Sequence, residues 1–112
     1  KDMDLAAFEK ASMDKIGLID QIIPRYRTSY FNHIWGGGYS AGYYSYIWAE
    51  VLDADAFEAF KESGDIFSTK VAKSFRDNIL SKGGTRDAME MYQAFRGKEP
   101  SIEPLLKNRG LK

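Results

Sequence analysis

Tyr39-Ser40-Ala41-Gly42-Tyr43-Tyr44-Ser45-Tyr46-Ile47-Trp48-Ala49-Glu50-Val51-Leu52-Asp53-Ala54-Asp55-Ala56-Phe57-Glu58-Ala59-Phe60-Lys61-Glu62 is the longest regular stretch of the chain, and its reading decides the fold class. It holds no proline and no glycine beyond Gly42. Tyr44, Ile47, Val51 and Asp55 recur at steps of three and four, with Trp48 and Leu52 beside them. That period belongs to an α-helix rather than to a strand, so a helix is expected over residues 39–62. On a second face Tyr39, Tyr43 and Tyr46 stand at i, i+4 and i+7, which would set three phenols in one row. Glu50 and Asp53 continue that row.

Upstream of the stretch lies Gly36-Gly37-Gly38, the clearest break in the chain. Three glycines are costly to order, so they mark a hinge, a turn with positive φ or a close approach of backbone. Before them, residues 25–35 read equally as a short helix or as irregular chain. Leu5, Phe8, Ser12, Ile16 and Ile19 step by three or four, which predicts a first helix over residues 4–16 with Gly17 as its C-terminal stop. Residues 18–24 read as a packed connection, since Pro24 discourages helix at Ile23.

Downstream, Ser68 is a candidate cap for a helix reaching Ser81, with Val71, Phe75, Ile79 and Leu80 inward and Lys70, Lys73 and Arg76 in solvent. Gly83-Gly84 turns the chain, and Thr85 is the candidate cap of a helix carrying Ala88, Met89, Tyr92 and Phe95, ended by Gly97 and Pro100. Residues 101–108 form a short last helix with Ile102, Leu105 and Leu106 as its apolar side. No segment alternates with period two, no segment repeats, and the expected class is all-α.

Composition excludes several functions. The 112 residues suffice for one compact domain or part of a larger one. Sixteen basic and sixteen acidic residues cancel, leaving no electrostatic reason to expect nucleic acid or an anionic membrane as partner. No apolar run approaches the roughly 20 residues that span a bilayer. There is no cysteine, which removes disulfides, thiolate metal sites and a cysteine nucleophile, and fits a reducing, cytoplasmic setting, with the periplasm as the alternative. Lys1 stands where an initiator Met would, and no apolar signal core follows Lys1-Asp2-Met3-Asp4, so further sequence is expected upstream.

Histidine is the most informative count: His33 is the only one. A His-Glu-x-x-His zinc helix needs two, and a catalytic zinc usually takes three protein ligands, so this chain by itself is expected to bind no zinc. Gly36-Gly37-Gly38 is followed by no Gly-Lys-Ser/Thr and is no phosphate loop. No serine sits in a Gly-x-Ser-x-Gly elbow. What remains is His33 just before the glycines and a tyrosine row just after them. One reading is core packing with hydroxyls at the rim, the usual meaning of an aromatic stripe. The other is a set of neutral donors that could hold a peptide backbone or polarise a carbonyl, since a phenol with pKa near ~10 stays protonated at neutral pH.

The stretch Tyr30-Phe31-Asn32-His33-Ile34-Trp35-Gly36-Gly37-Gly38-Tyr39-Ser40-Ala41-Gly42-Tyr43-Tyr44-Ser45-Tyr46 closely resembles the thimet oligopeptidase/neurolysin family of zinc metallopeptidases. Its His-Ile-Trp-Gly-Gly-Gly-Tyr form is similar to the bacterial dipeptidyl carboxypeptidase (peptidyl-dipeptidase) branch. The resemblance runs from Pro24-Arg25-Tyr26-Arg27 through Phe75-Arg76-Asp77-Asn78-Ile79-Leu80 and Arg96-Gly97-Lys98 to Arg109-Gly110-Leu111. It implies that residues 1–112 are a single helical fragment, the C-terminal part of a much longer catalytic domain with a deep channel. The zinc helix and a third ligand, a Glu, would lie upstream. It also implies that zinc, held in the parent and not by this chain, activates the water.

Carried over by position, His33 would bond the substrate backbone, Tyr39 and Tyr43 would bind or clamp the peptide, and Tyr46 would hydrogen-bond the tetrahedral oxyanion. Gly37 and Gly38 would belong to the substrate-binding loop. A carboxypeptidase mode needs a cation for the free C-terminus, and Arg25 and Arg27 have that chemistry; the competing reading makes them surface arginines or partners of acids. The implied partners are an oligopeptide substrate and the remainder of the catalytic domain, with self-association of the fragment through exposed apolar surface. The alternative function is a helical binding module that kept the fold and lost the chemistry.

Overall fold

A computed structural model describes residues 2–112, which form helices and turns with no strand among the described residues. The chain divides into two compact units, Lys1–Tyr43 and Tyr44–Lys112.

The first unit opens with α1 (Leu5–Lys15). Asp4 caps it, one carboxylate oxygen accepting from Ala6 N at 3.0 Å and Ala7 N at 3.1 Å, which satisfies two of the backbone donors left over at a helix start. It ends at Gly17, whose φ of +74° lets Leu18 N donate back to the Met13 carbonyl at 3.1 Å. Both ends agree with the sequence reading. Residues 18–24 do not: the connection expected to be packed leaves Ile19, Ile22 and Ile23 at 58, 56 and 67% exposure. None of the described residues of this unit is fully buried. The physical reason is size, because a piece this short has too little chain to enclose a core. A 3₁₀ turn (Thr28–Tyr30), the four-residue α2 (Asn32–Trp35) and a second 3₁₀ turn (Ser40–Gly42) complete the unit.

The second unit begins with α3 (Ser45–Glu62), which starts at Ser45 rather than at Tyr39. The cause lies in the preceding backbone. Gly38 (φ +78°) and Ser40 (φ +46°) are left-handed, and Gly42 N closes a tight turn on the Tyr39 carbonyl at 2.6 Å. No α-helix passes through such residues. The expected row of three phenols on one helix is therefore corrected: Tyr39 and Tyr43 precede α3, and only Tyr46 lies on it.

α4 (Thr69–Phe75) is capped by Ser68, as expected, through Val71 N. It runs on into a π-turn (Arg76–Leu80), in which Ser81 N reaches the Arg76 carbonyl at 2.8 Å. The extra residue in that turn rotates Leu80 outward to 65% exposure, against the expectation that it packs, while Val71, Phe75 and Ile79 stay half-buried. α5 (Ala88–Arg96) is capped by Asp87, which accepts from Met89 N and Glu90 N, and not by Thr85, whose hydroxyl donates to the Lys82 carbonyl. Ala88, expected on its packed side, is exposed. Gly97 ends the helix at φ +78°. α6 (Glu103–Asn108) buries Leu105 but leaves Ile102 exposed ahead of its first turn.

Val51 and Ala54 of α3 meet Leu105 of α6 to form the apolar core of this unit. Fully burying a Val or Leu side chain stabilises by roughly 1.5–3 kcal/mol. Phe75 and Phe95 pack edge to face at 5.1 Å, joining α4 to α5.

Candidate functional site

In the first unit an aromatic cluster gathers around the glycine loop. His33 sits on α2, and its ring lies 5.8 Å from that of Tyr39 and 5.7 Å from that of Tyr43. Tyr39 and Tyr43 meet edge to face at 6.4 Å, so the three rings are mutual neighbours. The loop is folded back to achieve this: Gly37 N donates to the Asn32 carbonyl at 3.0 Å and Tyr39 N to the His33 carbonyl at 3.3 Å. Gly37 packs so tightly on His33 that a Cβ there would stand 2.8 Å from the His33 carbonyl oxygen. Gly38, by contrast, has nothing near a Cβ but requires positive φ.

The cluster extends backwards along the chain. Phe31 meets Tyr43 edge to face at 4.6 Å and stacks on Tyr26 at 5.0 Å, and the Arg25 guanidinium lies 5.1 Å from the centre of the Tyr26 ring. Arg25 is thereby tied to the same array by a cation–π contact. Arg27 is turned elsewhere: its guanidinium pairs with Glu9 at 3.7 Å, and the same carboxylate accepts from Thr28 N, fixing the 3₁₀ turn to α1. Of the two arginines, Arg25 adjoins the cluster, and Arg27 takes the acid-paired arrangement. Such an array of imidazole, phenols and one guanidinium supplies hydrogen-bond donors and flat apolar faces, which suits a peptide backbone better than a metal.

Tyr46 belongs to the second unit, in the first turn of α3, with half of its surface exposed. One turn on, Glu50 is held by Arg109 through two hydrogen bonds, at 3.2 and 2.5 Å. Trp48 is also exposed.

The second unit contains one polar network that the sequence reading did not assemble, although it placed Asp55 and Tyr92 on the faces of their helices. Asp55 of α3 is only 1% exposed. Its carboxylate accepts from the Tyr92 hydroxyl at 2.6 Å and from Arg96 Nε at 3.2 Å. Arg96 then forks onto Glu62 at 2.5 and 2.8 Å. The paired Arg96 holds the Glu62 carboxyl below the usual carboxylate range, and Glu62 and Asp55 together raise the Arg96 guanidinium against the opposing effect of burial. Burial first, then the bond to Asp55, pushes the Tyr92 phenol far above its ordinary value. The signal was present in the spacing: Asp55 and Glu62 stand two turns apart on α3, and Tyr92 and Arg96 one turn apart on α5.

Zinc fits none of these places. Among the described residues no three His, Cys, Asp or Glu side chains lie together so as to hold a metal ion.

Residues 1–111 match the family described as Peptidase family M3. The chain is similar to dipeptidyl carboxypeptidase of Escherichia coli (strain K12), 44% identical over 110 residues that cover 98% of this chain and 15% of that protein. It is similar to oligopeptidase A of the same organism, 52% identical over 82 residues, 73% of this chain and 12% of the relative. Saccharolysin of Saccharomyces cerevisiae (strain ATCC 204508 / S288c) is 41% identical over 81 residues, 72% of this chain and 11% of the relative. The chain thus spans only a small part of the length of these curated relatives. With the family match running along nearly all of it, the chain belongs to peptidase family M3, a family of zinc metallopeptidases.

Proposed function

We propose that this chain is the C-terminal part of a zinc peptidyl-dipeptidase, a peptidase that releases dipeptides from the C-termini of oligopeptides. In this reading it supplies side chains that contact substrate, while the zinc ligands belong to the remainder of the catalytic domain. The observation that carries the proposal is the meeting of His33, Tyr39 and Tyr43 at the folded glycine loop. Family membership supports the peptidase, and the match of nearly the whole chain to dipeptidyl carboxypeptidases supports the exopeptidase mode.

Each residue takes the task that the resemblance implies for its position and that its chemistry allows. His33 bonds the backbone of the bound peptide, and Tyr39 and Tyr43 clamp it between ring faces and hydroxyl donors. Gly37 and Gly38 let the loop backbone come close to that peptide. Tyr46 donates to the oxyanion that develops on the scissile carbonyl, a role for which a protonated phenol is suited at neutral pH. Arg25, held against Tyr26, is the cation for the free C-terminal carboxylate. Arg27, engaged with Glu9, keeps the turn beneath it in place.

Incubation of the full-length parent with a short peptide carrying a free or an amidated C-terminus tests the proposal. Dipeptide release from the free peptide, abolished by amidation and by a chelator, is the expected result. Equal cleavage of both peptides would replace the exopeptidase mode with the internal cleavage of an oligopeptidase. A parent that is inactive and holds no zinc would leave the non-catalytic binding module as the reading. The present chain alone is expected to cleave nothing.

A further inference from the structure

Arg109-Gly110-Leu111 closes α6 with a built turn. Arg109 N donates to the Leu105 carbonyl at 3.0 Å, Gly110 is left-handed at φ +69°, and Leu111 N donates back to the Leu106 carbonyl at 2.9 Å. This is the glycine stop of a helix, and it fixes the backbone from which the Arg109 side chain departs. The guanidinium forks onto Glu50 of α3, with Nε at 3.2 Å and a terminal nitrogen at 2.5 Å. A two-point pair sets orientation as well as distance.

The pair extends the packing of α6 on α3 in one direction. Leu105 packs on Val51 and Ala54, whereas Arg109, one turn later, reaches Glu50. Going forward along α6 therefore moves back along α3, toward its first turn. That turn carries Tyr46, four residues before Glu50 and on the same face. Helical side chains lean toward the N-terminus of their helix, so Glu50 leans toward the turn from which Tyr46 projects. The start of α3 has little else of its own to steady it: Tyr44 makes no side-chain cap, and Tyr44, Ile47 and Trp48 are all exposed.

We propose that Arg109, acting through Glu50, positions Tyr46, so that its phenol is aimed at the reacting carbonyl before substrate arrives. Arg109 and Glu50 are positioning residues and touch no substrate. The inference rests on the reading of Tyr46 as the oxyanion donor. Such a donor works only at hydrogen-bond distance from the developing charge, and a misplacement of about 1 Å is costly in rate. An exposed ion pair contributes little to stability, so its loss should leave the fold intact and show in the chemical step.

A double-mutant cycle in the full-length parent tests it, with steady-state kinetics on one peptide and zinc content measured in each variant. Arg109→Met and Glu50→Gln should each lower kcat about tenfold and change KM less than about twofold. In the Tyr46→Phe background Arg109→Met should lower kcat by less than about a further twofold, because the group it positions has already lost its hydroxyl. Lys112→Met, which breaks the neighbouring pair with Glu103 at 2.6 Å, is the control expected to keep wild-type kinetics. Arg109→Lys repeats the cycle where Arg109→Met fails to accumulate. An equal loss of kcat in both backgrounds overturns the proposal, since Arg109 would then act independently of Tyr46. A raised KM with unchanged kcat also overturns it, by making Arg109 a substrate contact. An impaired Tyr46→Phe beside a wild-type Arg109→Met sinks the positioning pair and leaves the oxyanion donor standing, whereas a wild-type Tyr46→Phe removes both.

Discussion

A Cβ on Gly37 would come within 2.8 Å of the His33 carbonyl oxygen and 3.1 Å of its Cα. Both neighbours are backbone, so the loop itself must shift to accept alanine. Gly37→Ala should therefore destabilise this chain by about 1–3 kcal/mol, the usual cost of overpacking. Gly42 has nothing within 4 Å of a Cβ and no positive φ. Gly42→Ala should be neutral or stabilise by about 0.4–1 kcal/mol through the unfolded state. Urea denaturation of the two variants checks the contrast, and equal midpoints would mean that the loop does not pack on His33. The triple glycine itself was legible as a break, but its three possible meanings were not separable by sequence. Close approach falls to Gly37 and the left-handed turn to Gly38, because that division depends on where His33 is when the loop folds back. Ser40 at φ +46° had no sequence signal at all, since serine rarely adopts that conformation and nothing in its neighbours announces it.

At the scale of elements, the Asp55–Tyr92–Arg96–Glu62 network fastens α5 to α3. Tyr92→Phe keeps the ring but leaves the buried Asp55 carboxylate one donor short, so stability at neutral pH should fall by about 1.5–3 kcal/mol. The pH dependence carries a further signature. In the unfolded chain the phenol ionises near ~10, whereas in the fold burial and Asp55 hold it protonated to higher pH. Above ~10 the folded state binds the extra proton, so this contribution is complete below ~10 and is lost as pH rises beyond it. Glu62 acts in the opposite range: Arg96 lowers its pKa, so its contribution is present above the ordinary carboxylate value and disappears as the pH drops. Thermal denaturation between pH 7 and 11 should show the wild-type chain losing its advantage over Tyr92→Phe at the alkaline end; a constant difference would contradict the network. Most helices were legible from apolar period and caps, with α1, α4 and α5 located to within a few residues. The start of α3 was not, because apolar period ran through residues 39–44 while the backbone there is turned by left-handed residues. The outward turn of Leu80 escaped for a related reason: a π-turn shifts the helical phase without altering composition.

For the whole molecule, the chain matches its relatives over 11–16% of their length. Among the described residues no three His, Cys, Asp or Glu side chains lie together, and the function proposed above assigns the zinc ligands to the parent. The candidate site was legible mainly through resemblance to a family. The spacing of Tyr39, Tyr43 and Tyr46 suggested a common helix face that does not exist, yet Tyr39 and Tyr43 still meet, by way of the loop and its 3₁₀ turn. The central claim is that phenols of this chain act on the peptide and on its transition state. Steady-state kinetics of Tyr46→Phe in the full-length parent, beside Tyr39→Phe and Tyr43→Phe and with zinc content measured in each, tests it most directly. Loss of an oxyanion donor costs ~3 kcal/mol, so Tyr46→Phe should lower kcat on the order of a hundredfold with little change in KM, whereas the clamping tyrosines should raise KM. Wild-type kcat and KM in all three variants would contradict the account and reduce these tyrosines to packing.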